Sequence, residues 1–339
     1  MKKSLLALAV LGAFAGAAQA QSAVTIYGSF DGGLRYRTNV NAAGDSVWTM
    51  GSTGTYNSNR LGFKGVEDLG GGMNAHFTLE SGFNTGTGAL NNANNQLFER
   101  TASVGLGGKA GNSTWALDLG RQYTNAFLTV ITYDPFTFRY PGIALGVPAT
   151  AGTRYNNDVK YTGNFGPITA RVEWALGEVP GNNNAGSAKS VSLGYKDGPV
   201  AAGAAYTVLR SATDLQTKHW TLGGAYSLGF GRLTAGYADQ KAEQTTGIDT
   251  RNKWMWVGFN YNATPALEIT PAWYRAKQDG GVAGALEGKK DLFMISAAYA
   301  LSKRTNFYGL IDHARLDNAL RVGTQDRQNE VAVGINHLF

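Results

Sequence analysis

The chain of 339 residues contains no cysteine, only 8 prolines and few charged residues (16%), and it has no long apolar run after its first twenty residues. The absence of cysteine excludes disulfides, thiolate metal sites and cysteine nucleophiles. The absence of a run of about eighteen apolar residues excludes helical membrane spans. If such a chain enters a membrane, it must do so as a closed β-barrel, because strands satisfy their backbone hydrogen bonds in lipid only when they close on each other.

The first twenty residues have the pattern of an export signal. Two lysines precede an apolar stretch over residues 5–17, and an Ala-Gln-Ala site ends at Ala20. The apolar stretch is too short to span a bilayer, and the small residues suit cleavage. The sequence therefore predicts a cleavable secretory signal peptide over residues 1–20 and a single barrel domain over residues 21–339.

The remainder of the chain is rich in glycine (46 residues) and 11% aromatic, which suits many strands, tight turns and a lipid-facing surface. Hydrophobic and polar residues alternate in segments of about ten residues, most clearly over residues 168–176. The apolar positions there are Ile168, Ala170, Val172, Trp174 and Leu176, and the polar ones are Thr169, Arg171 and Glu173. An arginine or lysine on the lipid side would cost about 2 to 4 kcal/mol, so the charged face must be the interior.

The same alternation predicts an all-β fold, a 16-stranded antiparallel transmembrane β-barrel with short periplasmic turns and long outer loops. Three segments, 251–262, 266–277 and 305–315, alternate poorly, and residues 254–257 fit either face. The predicted strands lie at 24–37, 56–67, 73–83, 98–107, 113–122, 153–163, 167–177, 188–196, 199–209, 217–228, 231–241, 251–262, 266–277, 290–300, 305–315 and 328–339.

Tyrosines recur once per two predicted strands, each just before a short turn. Because these tyrosines occupy the same position in successive strand pairs, they predict an aromatic girdle at one rim of the barrel. The alternative is that tyrosine is simply common in strands. The tyrosines are Tyr161, Tyr195, Tyr226, Tyr261 and Tyr299.

Six motifs spread over the chain resemble the trimeric general porins of betaproteobacteria, relatives of the neisserial and enterobacterial porins. The motifs are residues 24–28 (VTIYG), 59–70 (NRLGFKGVEDLG), 119–123 (LGRQY), 134–136 (DPF), 302–305 (SKRT) and 333–339 (VGINHLF). The resemblance implies a homotrimer in outer-membrane lipids that passes small hydrophilic solutes and ions. It also implies a third loop folded into each channel, and a second loop, residues 84–97, that reaches into the neighbouring subunit.

The resemblance further implies a constriction with a positive wall and a negative third loop. Arg60, Arg121 and Arg154 match the wall arginines of the family, and Asp134 lies in the motif of the third loop. Alternate residues of a strand face opposite sides of the sheet, so the odd or even position of a residue, its parity, determines its face. Parity places Arg60 and Arg154 on the inward face. Arg121 has outward parity, so a bulge or the strand end must turn it inward if the resemblance holds.

Two further residues bear on the charge of this constriction. Parity adds Arg35 and Arg37 as inward candidates, with solvated rim residues as the alternative. Many relatives carry an acid after the Gly-Arg-Gln motif, but here residues 125–128 are Asn-Ala-Phe-Leu. The third loop therefore offers the acid Asp134, and the positive charge of Arg139 offsets it. Unbalanced positive charge in a narrow pore favours anions, so the sequence predicts an anion-preferring channel.

Other functions have little support in the sequence. The four histidines are scattered without metal-binding spacing, and no serine pairs with a nearby histidine, so we expect no enzyme, metal or cofactor. The net charge of +6 is dispersed and too small to predict nucleic-acid binding. A solute-specific channel, an outer-membrane hydrolase that depends on His76, and a soluble β-sandwich or propeller remain as alternatives.

Overall fold

The computed structural model describes residues 23–92, 94–140, 150–281 and 286–339. The predicted signal peptide lies outside these residues. The described part contains one helix, α1 (Asn125–Val130), and seventeen strands, of which β2 is a three-residue strand within the first long connection. The strands are β1 (Ala23–Arg37), β2 (Val47–Thr49), β3 (Arg60–Gly70), β4 (Met73–Gly82), β5 (Thr101–Ala110), β6 (Ser113–Tyr123), β7 (Arg154–Phe165), β8 (Ile168–Ala175), β9 (Ala188–Asp197), β10 (Val200–Arg210), β11 (Gln216–Leu228), β12 (Gly231–Ala242), β13 (Thr250–Asn262), β14 (Leu267–Asp279), β15 (Gly288–Ala300), β16 (Thr305–Asn318) and β17 (Arg327–Leu338).

The sixteen long strands form a closed antiparallel ring. β1 pairs with β3 on one side and with β17 on the other, and every other long strand pairs with its two neighbours in sequence. At the seam the amide of Gly28 donates to the carbonyl of Phe339 (3.2 Å), and the amide of Phe339 donates to the carbonyl of Gly28 (3.3 Å). A closed ring leaves no strand edge unpaired, as lipid requires. The prediction of a 16-stranded barrel is confirmed, and each predicted segment overlaps one long strand.

Connections between the long strands alternate in length around the ring. The short turns span 71–72, 111–112, 166–167, 198–199, 229–230, 263–266 and 301–304. The long connections span 38–59, 83–100, 124–153, 176–187, 211–215, 243–249, 280–287 and 319–326. Barrels of this kind carry short turns on the periplasmic side and long loops outside, which orients the molecule.

Side chains alternate between an outer and an inner face of the barrel. On β8, Val172 and Trp174 are 54% and 44% exposed on the outer face, whereas Glu173 between them is 1% exposed. The carboxylate of Glu173 lies in the interior, 3.1 Å from the ammonium group of Lys160. The charged face of this segment is therefore the interior. The five tyrosines of the predicted girdle are all outward and 40 to 49% exposed, at the rim with the short turns.

The strands β13 to β16 carry apolar side chains on both faces. Their inner face includes a group of apolar side chains that we call the apolar inner wall: Trp254, Trp256, Ala272, Tyr274, Ala276, Leu292, Met294, Leu310, Ala314 and Leu316. The third long connection, residues 124–153, is loop 3. These wall residues are buried because the described part of loop 3 folds into the barrel and covers them with Val130, Phe136 and Tyr140. This cover explains why the predicted segments here alternate poorly.

Loop 3 enters the barrel through α1. The hydroxyl of Thr124 caps this helix by accepting from the amide of Phe127 (3.0 Å). The amide of Asn125 donates to both carboxylate oxygens of Glu173 (3.0 and 3.1 Å). An inward charge on β8 thus fixes the start of the loop against the wall.

The middle of loop 3 lies against the far wall at close range. The indole of Trp256 donates to the carbonyl of Tyr133 (3.0 Å), and the amide group of Asn260 donates to the carbonyl of Pro135 (2.8 Å). A Cβ at Gly223 would lie 2.7 Å from the ring of Tyr133, so only glycine admits the loop at this distance. The loop is therefore docked along the wall from β8 to β14.

Candidate pore constriction

Loop 3 leaves a chamber of about 440 Å3 between itself and the wall formed by β3 to β7. Arginines from three elements reach it: Arg60 from the start of β3, Arg100 just before β5, and Arg154 from the start of β7. The loop contributes mainly apolar side chains, including Phe127 and Phe138. The chamber thus has a cationic wall, and the described part of loop 3 lines its opposite side with mainly apolar side chains.

Arg60 is held at the chamber by neighbouring polar groups. Its guanidinium donates to the side chain of Asn57 (2.5 Å) and to the carbonyl of Ser58 (3.2 Å). The nearest carboxylate is that of Glu80, at 3.8 Å. Glu80 forms its closer ion pair with Arg100, at 2.5 Å between Nε and Oε1. One carboxylate therefore serves two arginines.

The phenol of Tyr123 accepts hydrogen bonds from two of the arginines. Arg100 donates from Nη2 at 2.8 Å, and Arg154 donates from Nη2 at 2.7 Å. The guanidinium of Arg154 also lies over the ring, 4.2 Å from its centroid. Tyr123 therefore fixes both arginine side chains through one phenol oxygen.

Arg121 lies outside the set of residues that line the chamber. Its guanidinium donates to the carbonyl of Glu99 (2.5 Å) and to the side chain of Asn156 (2.6 Å). The pairing of β6 with β7 shifts register between Gly120 and Gln122, where the sequence argument required a bulge. This bulge brings Tyr123 into the chamber, although it shares the outward parity of Leu119.

Asp134 is placed on the side of loop 3 that faces away from the arginines. It is 2% exposed, and one carboxylate oxygen accepts from the phenol of Tyr274 (2.5 Å). The other oxygen accepts from the amides of Phe136 (3.1 Å) and Phe138 (2.8 Å). Burial raises the pKa of Asp134 to about 6, and the hydrogen bonds that it accepts oppose this shift. The carboxylate therefore joins the loop to β14 and does not oppose the wall arginines.

Arg139 is the charged residue of loop 3 nearest to the chamber. Its guanidinium donates to the phenol of Tyr56 (2.8 Å) and lies 5.0 Å from the centroid of that ring. Tyr56 itself lines the chamber. The described part of the loop thus brings a cation, and no carboxylate, toward the arginine side.

Arg35 belongs to a second group of inward charges. Its guanidinium lies 2.5 Å from the carboxylate of Glu330 on β17. Arg37 is on the same inner face of β1, and it interacts electrostatically with Lys290 and Asp312. Parity placed Arg35 and Arg37 inside, but neither lines the chamber around Arg60.

Sequence reasoning missed Arg100, Glu80 and Tyr123. Glu80 shares the inward parity of His76 on its strand, so an inward carboxylate was available from the pattern. Arg100 precedes the first ladder residue of β5, and Tyr123 follows the bulge, so alternation fails to place either of them. These positions depend on tertiary structure.

The histidine of the hydrolase alternative has other partners. His76 is hydrogen bonded to Asn74 (3.0 Å) and Asp118 (2.8 Å). Across residues 23–92, 94–140, 150–281 and 286–339, no cluster of three or more histidine or acidic residues could hold a metal ion. Within the same ranges, no helix is long and apolar enough to cross a membrane.

Comparisons with known proteins agree with this architecture. A family model described as Gram-negative porin matches residues 7–319. Outer membrane porin protein 32 of Delftia acidovorans is 31% identical, and the match covers 100% of both chains. An outer membrane porin of Bordetella pertussis is 30% identical over 100% of both chains. The major outer membrane protein P.IB of Neisseria meningitidis is 26% identical over 90% of this chain and 91% of its own.

Solved structures give the same result at the level of the fold. A structure described as an anion-selective porin from Comamonas acidovorans superposes with a TM-score of 0.80 at 26% identity, covering 94% of this chain and 100% of its own. OmpT of Vibrio cholerae superposes with a TM-score of 0.70 at 13% identity, covering 94% and 98%.

Proposed function

The chain belongs to the Gram-negative porin family and is an outer-membrane channel for the passive diffusion of small solutes, and we propose that this channel prefers anions. Since its relatives are channels, it is not an enzyme. The observation that carries the proposal is the charge of the chamber. Arg60, Arg100 and Arg154 line it, and the ion pairs among the described residues join only Arg60 and Arg100 to a carboxylate, that of Glu80.

The physical argument concerns the field inside a narrow opening. Low-dielectric walls focus the field of fixed charges and raise the local concentration of counter-ions. The described part of loop 3 does not balance the excess of guanidinium groups on the wall, because the carboxylate of Asp134 is bonded to Tyr274 on the far side. An anion entering the chamber therefore meets a net attractive potential and a cation meets a barrier.

The description of the Comamonas structure as an anion-selective porin supports the same preference. The chamber presents guanidinium groups from three elements, and their positive charge attracts small anions of many shapes. Permeation of various small anions therefore fits better than a site for a single solute.

We also propose that the mature protein starts at Gln21 and assembles as a homotrimer. The signal pattern and the whole-chain resemblance support this. Loop 2, residues 84–97, ends in Leu97, which is 61% exposed, a large apolar side chain available to a neighbouring subunit. Deletion of loop 2 should lower the melting temperature of the trimer and leave folded monomers, as seen by gel mobility with and without heating.

The test of anion preference is the reversal potential of single channels in a salt gradient. Replacing Arg60, Arg100 or Arg154 with glutamine should shift the reversal potential toward cation selectivity. The shift should be larger in dilute salt, since the Debye length is about 30 Å at 0.01 M and about 3 Å at 1 M. Arg327→Gln is the matched control, because that side chain is outward and 65% exposed.

The same measurement examines Arg121, which matches the family motif but lies outside the chamber. Arg121→Gln should shift the reversal potential less than Arg60→Gln. If all three chamber variants leave the reversal potential of the wild type unchanged in dilute salt, the proposed anion preference is wrong.

A further inference from the structure

Three lysines face one another on the outer surface of the barrel. Lys253 on β13 pairs in register with Lys277 on β14, which pairs in turn with Lys289 on β15. We call these three residues the lysine row. Like charges placed directly opposite each other on neighbouring strands destabilise a sheet. The lysine row therefore indicates that groups outside the row, either other side chains or a bound molecule, stabilise its positive charges.

Carboxylates of the chain compensate the lysine row only in part. Lys277 pairs with Asp279 (3.1 Å), and Lys289 pairs with Asp317 (3.3 Å). Asp291 lies 3.8 Å from Lys289, but it is bonded to Arg275 at 2.7 Å. Lys253 forms no ion pair with any residue that the structure describes. The row thus keeps positive charge on a lipid-facing surface.

An apolar groove of about 570 Å3 lies next to the lysine row on the same outer face. Val257, Phe259, Trp273, Phe293 and Ile311 surround Pro271 within it. The β13 to β14 ladder is interrupted here, because pairing passes from Gly258 and Ala272 to Tyr261 and Ile269. Proline has no amide hydrogen to donate, and its small ring leaves a depression between the larger side chains.

The lysine row lies on the outer-leaflet side of the groove. Lys253 lies four residues from Val257 along β13, and Lys277 lies four residues from Trp273 along β14, in both cases toward the long connections. At about 3.3 Å per residue, the lysines are about 13 Å closer to that rim than the groove is. Apolar side chains meet acyl chains in the bilayer, and charged side chains meet the headgroups above them. The row and the groove therefore match the two ends of a single lipid.

We propose that the lysine row and the groove together bind one phosphorylated glycolipid of the outer leaflet. Its headgroup phosphates contact the ammonium groups of Lys253, Lys277 and Lys289, and one acyl chain fills the groove around Pro271. Strands lie about 4.8 Å apart, so the row is about 10 Å long. That length fits a sugar headgroup carrying more than one phosphate better than the single phosphate of a phospholipid.

The position of the site around the barrel leaves it open to lipid. β13 lies half of the sixteen-strand ring away from β5, which follows loop 2. A trimer built through loop 2 therefore keeps the lysine row and the groove on the outer side of the assembly. The face is large, apolar and outward, with Phe293 50% exposed and Ile311 55% exposed.

The test measures lipid retained by the purified full-length protein. Protein in mild detergent is titrated with lipopolysaccharide or with phosphatidylglycerol, and bound lipid is counted by native mass spectrometry. The triple variant Lys253→Gln, Lys277→Gln, Lys289→Gln should bind lipopolysaccharide about a hundredfold more weakly. Ile311→Trp, which fills the groove and leaves the row intact, should also weaken binding.

The matched control replaces three exposed cations at the opposite rim, Lys109, Lys303 and Arg304, with glutamine. It should bind lipopolysaccharide like the wild type, and the lysine-row variant should keep the wild-type reversal potential because its charges lie outside the pore. Unchanged lipopolysaccharide binding in the lysine-row variant would overturn the proposal. Equal losses of lipopolysaccharide and phosphatidylglycerol would overturn the assignment to a glycolipid.

Discussion

The phenol of Tyr274 donates a hydrogen bond to the carboxylate of Asp134, with 2.5 Å between the two oxygens, and so joins loop 3 to β14. Tyr274 is 2% exposed and belongs to the apolar inner wall. The pair is thus a polar contact inside an apolar interface. Its position suggests that it determines where loop 3 lies, and hence the size of the chamber on the opposite side of the loop.

Tyr274→Phe should loosen loop 3 without removing a charge from the channel. The variant leaves one oxygen of Asp134 buried without its donor, which costs about 1 to 3 kcal/mol. We expect more open-channel current noise and more frequent sub-conductance steps in single-channel recordings, with an unchanged reversal potential. Tyr299→Phe, at an outward tyrosine, is the control. Identical noise in both variants would show that the Tyr274 hydrogen bond does not restrain the loop.

The raised pKa of Asp134 predicts a specific dependence of stability on pH. In the unfolded chain the carboxyl group ionises near its usual pKa, and in the folded protein it ionises at about 6. Between these values the folded state binds more protons, so this group makes the protein more stable as pH falls from above 6 toward 4. A shift of about two units corresponds to roughly 3 kcal/mol.

The measurement compares urea unfolding of the wild type and of Asp134→Asn in lipid vesicles at pH 7.5 and at pH 4. The difference in free energy of unfolding between the two proteins should change with pH, in favour of the wild type at the lower pH. A difference that is constant across this range would contradict the raised pKa.

Glu80→Gln should make the channel more anion-selective. The substitution removes the carboxylate that Arg60 and Arg100 share, and so raises the net charge of the chamber by one unit. We expect the reversal potential to move in the direction opposite to that of Arg60→Gln, and more strongly in dilute salt. Glu330→Gln is a useful comparison because Glu330 pairs with Arg35 outside the chamber. Its effect should be smaller.

Tyr123→Phe should strengthen the interaction of the chamber with permeating anions. The phenol occupies one donor on Arg100 and one on Arg154, and its loss frees both for a passing anion while the charges stay the same. Single-channel current should therefore saturate at a lower chloride concentration. Tyr161→Phe, on the outer face, should behave like the wild type. A saturation curve identical to that of the wild type would exclude this role of Tyr123.

Much of the barrel follows from local alternation, because lipid on one side and water on the other impose opposite chemistry on adjacent residues. Segment 168–176 was predictable for this reason. Trp254 and Trp256 were not, since loop 3 replaces water along their strand and makes the inner face apolar as well. That replacement is a long-range contact, which the pattern of one strand does not contain.

The constriction was predictable only in part for a related reason. Arg60 is the first residue of a regular strand, β3, and its inward position follows from the alternation along that strand. Tyr123 reaches the chamber through the bulge at Gly120, whose φ of +126° breaks the alternation. The partner of Asp134 is 140 residues away in the sequence, so no local signal reveals that this carboxylate faces Tyr274.

The apolar inner wall also limits how such a channel can be gated. If loop 3 swung away from its wall, the barrel would expose Trp254, Trp256, Leu292 and Met294 to the lumen. Water leaves hydrophobic pores by dewetting, and ions do not follow where water is absent. Withdrawal of the loop would therefore not simply widen the aqueous path. We expect conductance changes to arise from small shifts of the loop edge beside the arginines, with the loop remaining docked.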